Sequence, residues 1–290
     1  MSEENQMISD IKEALDAGVM LAGPRVPLMD KDNRIPFVVV PSGCKVEKIE
    51  NLLPFPTRKR ATVAVTSADS FIEYVKKHGS GDESVIYAQI NAEQSQCTMV
   101  ALMNDNGSGT TNWRDHRCTF SPALSIEWKR WMSKDGHKNA MSQADFATWL
   151  EDNQADVRSV DGSPSGADIL AMAQAFEVNA DKRVKSHINL QSGGVRFEFV
   201  DDEIRDTRTS MEVFRRFTLA IPVFDSSYDA YPIPARLKYR DNAGKVTFWY
   251  ELIRPDLAFK TAVRSVLDKI TADTGLLLLE GVPESNSRGS

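Results

Sequence analysis

A hairpin signal in the last third of the chain constrains the fold more than any other sequence feature. The segments 235–239 and 245–253 flank Asp241-Asn-Ala-Gly244, a turn sequence that joins antiparallel strands. In the first segment, Leu237 and Tyr239 alternate with three basic residues, so one face is apolar and the opposite face is charged. This alternation is typical of an antiparallel sheet that packs on the core with one face and meets water with the other.

Periodicity and capping residues predict the remaining strands and helices. A second hairpin signal, Ser192-Gly-Gly194, joins two short apolar segments, and residues 212–224 favour one long strand. Other strands are predicted over residues 37–40, 61–66, 85–91, 97–104, 113–120, 184–190 and 195–200. Helices are predicted over residues 1–20, 68–77 (N-cap Ser67), 122–132 (N-cap Ser121), from Ser142 onward, 167–177 and 256–272.

Together these elements predict an α+β fold with mainly antiparallel sheets, a helical middle segment and a C-terminal helix. The main boundary falls at Asp161-Gly-Ser-Pro-Ser-Gly166, the strongest linker-like stretch in the interior. Four parts follow: an N-terminal helix or arm (residues 1–22), an α+β region with a tryptophan-rich helix pair (23–160), a β-rich region ending in a helix (161–282) and a disordered tail (283–290).

Composition narrows the class of protein. The formal net charge of −6 argues against a surface that binds nucleic acid everywhere, but it leaves room for a local basic groove. Three cysteines, Cys44, Cys97 and Cys118, have no paired spacing, so we expect reduced, buried thiols. No apolar run reaches the roughly 18–20 residues that span a bilayer, and the acidic start lacks a signal-peptide pattern. We therefore expect a cytoplasmic protein with no membrane partner.

A search for catalytic motifs finds no complete one, so the sequence favours a protein that is not an enzyme. His116 and Cys118 form a His-x-Cys pair, but two ligands do not make a zinc site, and we expect His116 at a partly exposed strand position. The acidic cluster Asp201-Asp-Glu203, with Asp206, is interpreted as a solvated loop rather than a cation or nuclease site. We assign no catalytic residue, cofactor or metal.

The segment from Trp113 to Trp149 is the most distinctive, because it combines four tryptophans with several basic residues. Such a mixture can follow a nucleic-acid backbone while the rings stack on bases. The helical spacing of Leu124, Trp128 and Trp131 instead favours a stripe in the core or at a subunit interface. These alternatives stay open. The candidate interaction surface comprises Trp113, Arg114, Arg117, Trp128, Lys129, Arg130, Trp131, Lys134, Arg236, Lys238 and Arg240.

Two runs of the helix-pair segment carry a family resemblance: Thr119-Phe-Ser-Pro-Ala-Leu-Ser-Ile-Glu-Trp-Lys-Arg-Trp131 and Met141-Ser-Gln-Ala-Asp-Phe-Ala-Thr-Trp-Leu-Glu-Asp-Asn153. With Phe217-Thr-Leu-Ala-Ile-Pro-Val-Phe224 and Tyr239-Arg-Asp241, they resemble the YfdQ-like family over residues 10–280. Its members are uncharacterised proteins of tailed phages and prophages, often encoded near replication or recombination functions. The resemblance implies expression inside a bacterial host cell and brings no catalytic residues.

Two functions are compatible with these features. We expect a phage or prophage accessory protein that self-associates into a homo-oligomer, because tryptophan and arginine are enriched at interfaces and an amphipathic N-terminal helix can dock on a neighbour. The alternative is a nucleic-acid-binding factor of phage recombination or replication, which the basic and aromatic segment favours.

Overall fold

In the computed structural model, most of the described residues belong to helices and strands. The described residues are 3–22, 28–29, 36–37, 54–55, 59–107, 112–159, 162–179, 184–188, 195–199, 209–227, 229–242 and 245–284. The chain divides into two compact units, Met1–Arg58 and Lys59–Ser290.

The first unit contains helix α1 (Glu3–Ala22) and a short antiparallel pair of strands, β1 (Leu28–Met29) and β2 (Pro36–Phe37). The N-terminal helix predicted from periodicity is confirmed. Residues 6–16 of α1 are all exposed, the apolar side chains included. β2 overlaps the strand predicted at 37–40, of which residues 38–40 lie outside the described residues.

The second unit builds three sheets from its described strands and packs helices against them. In chain order the elements are β3 (Ala61–Val65), α2 (Ala68–His78), β4 (Val85–Asn91), β5 (Gln96–Leu102), β6 (His116–Phe120), α3 (Ile126–Ser133), β7 (Met141–Ser142), α4 (Gln143–Asn153), α5 (Gly166–Asn179), β8 (Val184–Ile188), β9 (Val195–Phe199), β10 (Thr209–Val213), β11 (Arg216–Pro222), β12 (Ala230–Asn242), β13 (Lys245–Leu252), α6 (Pro255–Thr274) and β14 (Leu277–Glu280).

The five-stranded sheet has the order β14-β4-β5-β6-β3. β4, β5 and β6 are antiparallel neighbours, whereas the outer strands β14 and β3 run parallel to β4 and β6. One face is buried, because Cys118 and Phe120 of β6 point into the core, where Phe120 meets Phe71 of α2 at a ring-centroid distance of 6.0 Å. The sequence predicted the central antiparallel strands, but neither the parallel pairs nor β14.

The four-stranded sheet has the order β11-β12-β13-β7, with antiparallel neighbours throughout. The hairpin predicted around residues 241–244 is confirmed, and its first strand is longer than predicted. Leu237 and its cross-strand neighbour Tyr250 are buried, whereas Arg236 and Lys238 face solvent. The three-stranded sheet β10-β9-β8 contains the second predicted hairpin. The α+β class is confirmed.

The structure corrects the start of the first helix in the middle segment. We predicted Ser121 as its N-cap, but the N-cap is Ser125, whose Oγ accepts the Trp128 N–H at 2.9 Å. Upstream of this cap the chain is extended, since Leu124 forms an antiparallel bridge with Phe224 just beyond β11. This pairing holds the chain out of a helical conformation until Ser125 provides a second capping hydroxyl.

The strand predicted over residues 212–224 is two strands in different sheets. β10 pairs with β9, whereas β11 pairs with β12. Between them the Phe214 N–H donates to Met172 Sδ of α5 at 3.4 Å, and the Arg215 carbonyl accepts the Leu237 N–H at 2.9 Å. These bonds redirect the chain from one sheet to the next.

Some hydrogen bonds connect parts of the chain that we predicted as separate regions. Gln143 Nε2 of α4 donates to the Ala173 carbonyl of α5 at 2.6 Å, so helices on both sides of the linker-like stretch pack together. The boundary at residue 160 stays a prediction. Pro283 is buried, and the Glu284 carbonyl accepts a hydrogen bond from Arg117 at 3.0 Å, so these two residues belong to the fold rather than to a tail. Residues 285–290 lie outside the described residues.

Trp131 of α3 lies at the centre of the core. Its ring meets those of Tyr250 and Phe217 at centroid distances of 5.0 and 6.1 Å, and it meets Trp149 edge-on at 5.6 Å. The indole N–H donates to Asp156 Oδ2 at 2.7 Å, and the Trp131 carbonyl accepts the Tyr250 hydroxyl at 2.8 Å. The indole N–H of Trp131 and the hydroxyl of Tyr250 therefore both have hydrogen-bond acceptors.

Helix α6 packs against α2, which covers the five-stranded sheet, and against β12 of the four-stranded sheet. Phe259 meets Trp128 of α3 at 6.3 Å and Phe224 at 5.7 Å. The helix predicted over residues 256–272 is confirmed, and its side chains Phe259, Val263 and Ile270 are buried. A single cluster of buried side chains consequently extends from the five-stranded sheet to the four-stranded sheet.

Replacing Trp131 with alanine should lower the free energy of unfolding by about 3–5 kcal/mol, the usual cost of removing a large aromatic side chain from a core. Trp113→Ala is the matched control, because Trp113 is 61% exposed, and it should cost less than about 1 kcal/mol. Chemical denaturation followed by circular dichroism measures both changes. Equal losses in the two variants would contradict the core position of Trp131.

Candidate functional site

The residues of the predicted interaction surface do not form one surface. Trp128 and Trp131 are 2% and 0% exposed, which agrees with the core position among the alternatives that the sequence left open. They lie on the face of α3 that packs on the sheet, whereas Lys129 lies between them on the exposed face. Helical spacing alone could not tell an internal contact from one between subunits.

Three of the predicted arginines are held by contacts within the chain. Arg114 Nε lies 2.7 Å from Asp105 Oδ1 in an ion pair without a well-directed hydrogen bond, and its side chain is 16% exposed. Arg117 donates to two backbone carbonyl oxygens, each at 3.0 Å. Arg130 donates to the side-chain oxygen of the buried Asn153. These guanidinium groups stabilise the fold.

The remaining candidates are exposed, and three of them lie on one strand. Arg236, Lys238 and Arg240 alternate along β12 and face solvent. Arg216 of β11 is the direct cross-strand neighbour of Arg236 and is also exposed. We call these four side chains the basic sheet face. The other exposed candidates lie elsewhere: before β6 (Trp113), on α3 (Lys129) and just after α3 (Lys134).

The basic sheet face places like charges side by side. Arg216 and Arg236 are directly opposite each other, an arrangement that destabilises a sheet unless an anion offsets it. Glu251 of β13 neighbours Arg236 on the other side and supplies a single carboxylate. Positive charge therefore exceeds negative charge on this face as far as β11, β12 and β13 are described, although the whole chain is acidic.

Aromatic rings at this face are covered. Trp249, the cross-strand neighbour of Lys238, is 8% exposed. The ring of His137 packs edge-on against it at 4.7 Å, and the guanidinium carbon of Arg240 lies 6.0 Å from its centroid. A polyanion on this face would consequently be held by charge, without stacking of bases on tryptophan.

Two grooves in the second unit have balanced charges. One, beside β7, has a volume of about 550 Å³, and its lining includes Lys134, Lys138, Asp145, Trp149 and Asp152. The other lies among β4, α6 and β14, has a volume of about 690 Å³, and includes Glu93, Lys260, Arg264 and Glu280. Neither groove favours a ligand of one sign of charge.

His116 and Cys118 share one face of β6. His116 is buried, so the prediction that it lies at a partly exposed position is wrong. Its Nε2 lies 2.9 Å from Tyr74 Oη, and its backbone N–H donates to Asn104 Oδ1 at 3.0 Å. In the described part of the chain, no three His, Cys, Asp or Glu side chains are arranged to hold a metal ion. The acidic cluster at 201–206 lies outside the described residues.

A cluster that the sequence did not indicate adjoins His116. Lys59, which precedes β3, has its Nζ 2.7 Å from Nδ1 of His78, the last residue of α2. The rings of His78 and His116 lie 5.7 Å apart. Burial and then the Lys59 ammonium lower the pKa of both imidazoles below the ordinary value. Long-range folding brings these residues together, so no local motif could have revealed them.

Comparison with protein families accounts for nearly the whole chain. The model of an uncharacterised conserved protein family, DUF2303, matches residues 9–283. The chain belongs to the DUF2303 family. Comparison with curated proteins and with solved structures gave no match. None of the described helices of this DUF2303 protein is long and apolar enough to cross a membrane.

Cys97 and Cys118 of the DUF2303 protein should resist thiol reagents in the folded state. Both are free and buried, and burial raises the pKa of Cys97 to about 12 and that of Cys118 to about 11. The reactive thiolate is therefore scarce at about pH 8. A Cys44→Ser variant should show no thiol that reacts with an aromatic disulfide reagent until denaturant is added, and two afterwards. Rapid labelling without denaturant would contradict this environment.

Proposed function

We propose that this DUF2303 protein is a phage or prophage accessory protein of the YfdQ-like kind that acts in the bacterial cytoplasm as a homo-oligomer, without catalysis. The resemblance of the helix-pair segment to the YfdQ-like family supports the origin. The observation that carries self-association is an apolar stripe on α1 that is exposed to solvent.

The stripe consists of Met7, Ile8, Ile11 and Leu15, which are 51–63% exposed. Their spacing places them on one side of α1, as in an amphipathic helix that packs on another element. An isolated helix of this length is marginal in water, so most of its stability comes from packing of the apolar side. Covering the stripe would therefore stabilise α1 itself.

A second copy of α1 is the occupant that we assign to this stripe. Identical stripes are self-complementary across a two-fold axis, and the three- and four-residue spacing of positions 8, 11 and 15 suits side-by-side helices. Asp10, Glu13 and Asp16 outnumber Lys12 among the exposed charges here. Two such helices repel each other electrostatically, so salt should strengthen the association by screening that repulsion.

Light scattering coupled to size exclusion tests this interface on the full chain. The wild-type protein should elute as an oligomer at micromolar concentration, more completely at higher salt. Ile8→Glu/Ile11→Glu should shift it towards the 32.3 kDa monomer, because charges would be buried between helices.

The control for this shift is Gln6→Glu/Ser9→Glu, which adds the same charge to exposed positions off the stripe and should leave the oligomer intact. A wild-type protein that is monomeric at micromolar concentration, or equal effects of the two double variants, would overturn the proposal.

Nucleic-acid binding is the second candidate function, and the basic sheet face favours it. Four cations project from two adjacent strands, with Arg216 and Arg236 in direct opposition. Phosphate groups of a nucleic-acid backbone would offset this repulsion. Because Trp249 is covered, we expect contacts to the backbone and little dependence on base sequence.

Fluorescence anisotropy with single- and double-stranded DNA over a range of salt tests this candidate. Binding should weaken steeply as salt rises, the opposite of the dependence expected for self-association. Arg236→Glu/Arg240→Glu should remove about two phosphate contacts and reduce the slope of log K against log salt by about 2. Lys260→Glu/Arg264→Glu on α6 is the charge-matched control. Absence of binding at low salt would exclude the candidate.

A further inference from the structure

Lys59, Tyr74, His78 and His116 form a cluster at one end of the five-stranded sheet. Lys59 lies two residues before Ala61, which is in register with His116 on the parallel neighbour β6. Tyr74 and His78 are on α2, and their rings meet at 4.5 Å. Three separate parts of the second unit thus converge here.

The contact between Lys59 and His78 requires a neutral imidazole, because an ammonium group can donate only to a ring nitrogen that carries no proton. Lys59 Nζ lies 2.7 Å from Nδ1 and 3.1 Å from Nε2 of His78. Among the described residues, no carboxylate lies within ion-pair distance of this ammonium group. The lysines in the last turn of α2 interact favourably with the negative end of the helix dipole. Lys59 lies outside that helix, so the dipole does not explain its position.

Contacts between Tyr74 and His116 hold the other side of the cluster in place. Tyr74 Oη and His116 Nε2 are hydrogen-bonded at 2.9 Å, and the His116 ring is buried behind them. The rings of Tyr74 and His116 are nearly perpendicular, at 5.9 Å. These contacts fix the position of Tyr74, and through it the ring of His78, while Lys59 and His78 remain partly accessible to solvent.

We propose that Lys59 and His78 form a binding site for a tetrahedral oxyanion, such as phosphate or sulfate, backed by the Tyr74–His116 pair. The anion accepts hydrogen bonds from the Lys59 ammonium and from His78 in its protonated form. It replaces the hydrogen bond between Lys59 and His78 with two charge-assisted hydrogen bonds. The site uses none of the residues of α1 or of the basic sheet face, so it is independent of both proposed functions.

Binding and protonation of His78 are linked. The groups that face its ring are Lys59 before β3, Tyr74 and Lys77 on α2, and His116 on β6, with Asp115 and Cys118 behind His116. Burial, Lys59 and Lys77 lower the pKa of His78, so without an anion the imidazole is neutral near pH 7. A bound dianion favours the charged form and raises that pKa. Affinity for the anion should consequently increase as pH falls through the pKa of His78.

Nuclear magnetic resonance of the histidine side chains in the full chain tests the site with sodium sulfate, whose charge stays constant near neutral pH. His78 should titrate at a higher pH in sulfate than in sodium chloride of equal ionic strength. Inorganic phosphate and a nucleoside monophosphate, added in parallel, distinguish a free phosphate from a phosphate ester as the preferred ligand.

Three variants decide the assignment. Lys59→Met should weaken sulfate binding by about tenfold or more, as expected for loss of a charge-assisted hydrogen bond. His78→Gln should abolish the pH dependence of binding. Lys76→Met removes a charge from the same turn of α2 and should leave the affinity unchanged within about twofold, since Lys76 pairs with Glu73. Titration of His78 that is identical in sulfate and chloride, or equal losses in the two lysine variants, would overturn the proposal.

Discussion

Burial of the Trp131 indole is the interaction on which the second unit depends. The ring needs apolar neighbours on all sides and a hydrogen-bond acceptor for its N–H, and it finds Tyr250, Phe217 and Asp156. Because these partners come from β13, β11 and the turn after α4, satisfying one side chain fixes α3 against two strands. The chain after α3 is also held against β13, because the Gly136 N–H donates to the Tyr250 carbonyl at 2.9 Å.

The sequence predicted those elements that are determined by nearby residues, such as a capping serine or an alternation along one strand. Ser67 and Ser142 cap α2 and α4 as their side chains indicated, and the alternation along β12 placed Arg236 on the solvent side. Tertiary pairing decided the rest. Ser121 has the composition of a cap, yet Leu124 pairs with Phe224, about 100 residues later, and delays the helix. The parallel pair of β14 with β4 joins segments almost 200 residues apart and leaves no local pattern.

The candidate surfaces show the same difference between features set by local sequence and features set by tertiary packing. Exposure of Arg236, Lys238 and Arg240 follows from strand periodicity, so the basic sheet face could be predicted, whereas burial of Trp128 required knowledge of what covers α3. The contact of Lys59 with His78 depends on the packing of α2 beside β3. The proposed interactions should therefore depend on salt in opposite ways. We expect salt to strengthen association through the apolar stripe on α1 and to weaken anion binding by the basic groups of the second unit.

The five-stranded and four-stranded sheets share one core, organised by Trp131 and α6, so we expect them to unfold together. Native-state hydrogen exchange at increasing denaturant measures this most directly, since it gives an opening free energy for each segment. Amides of β5 in one sheet and of β13 in the other should converge on the same opening free energy, equal to that of global unfolding. Exchange of one sheet at low denaturant while the other stays protected would contradict it.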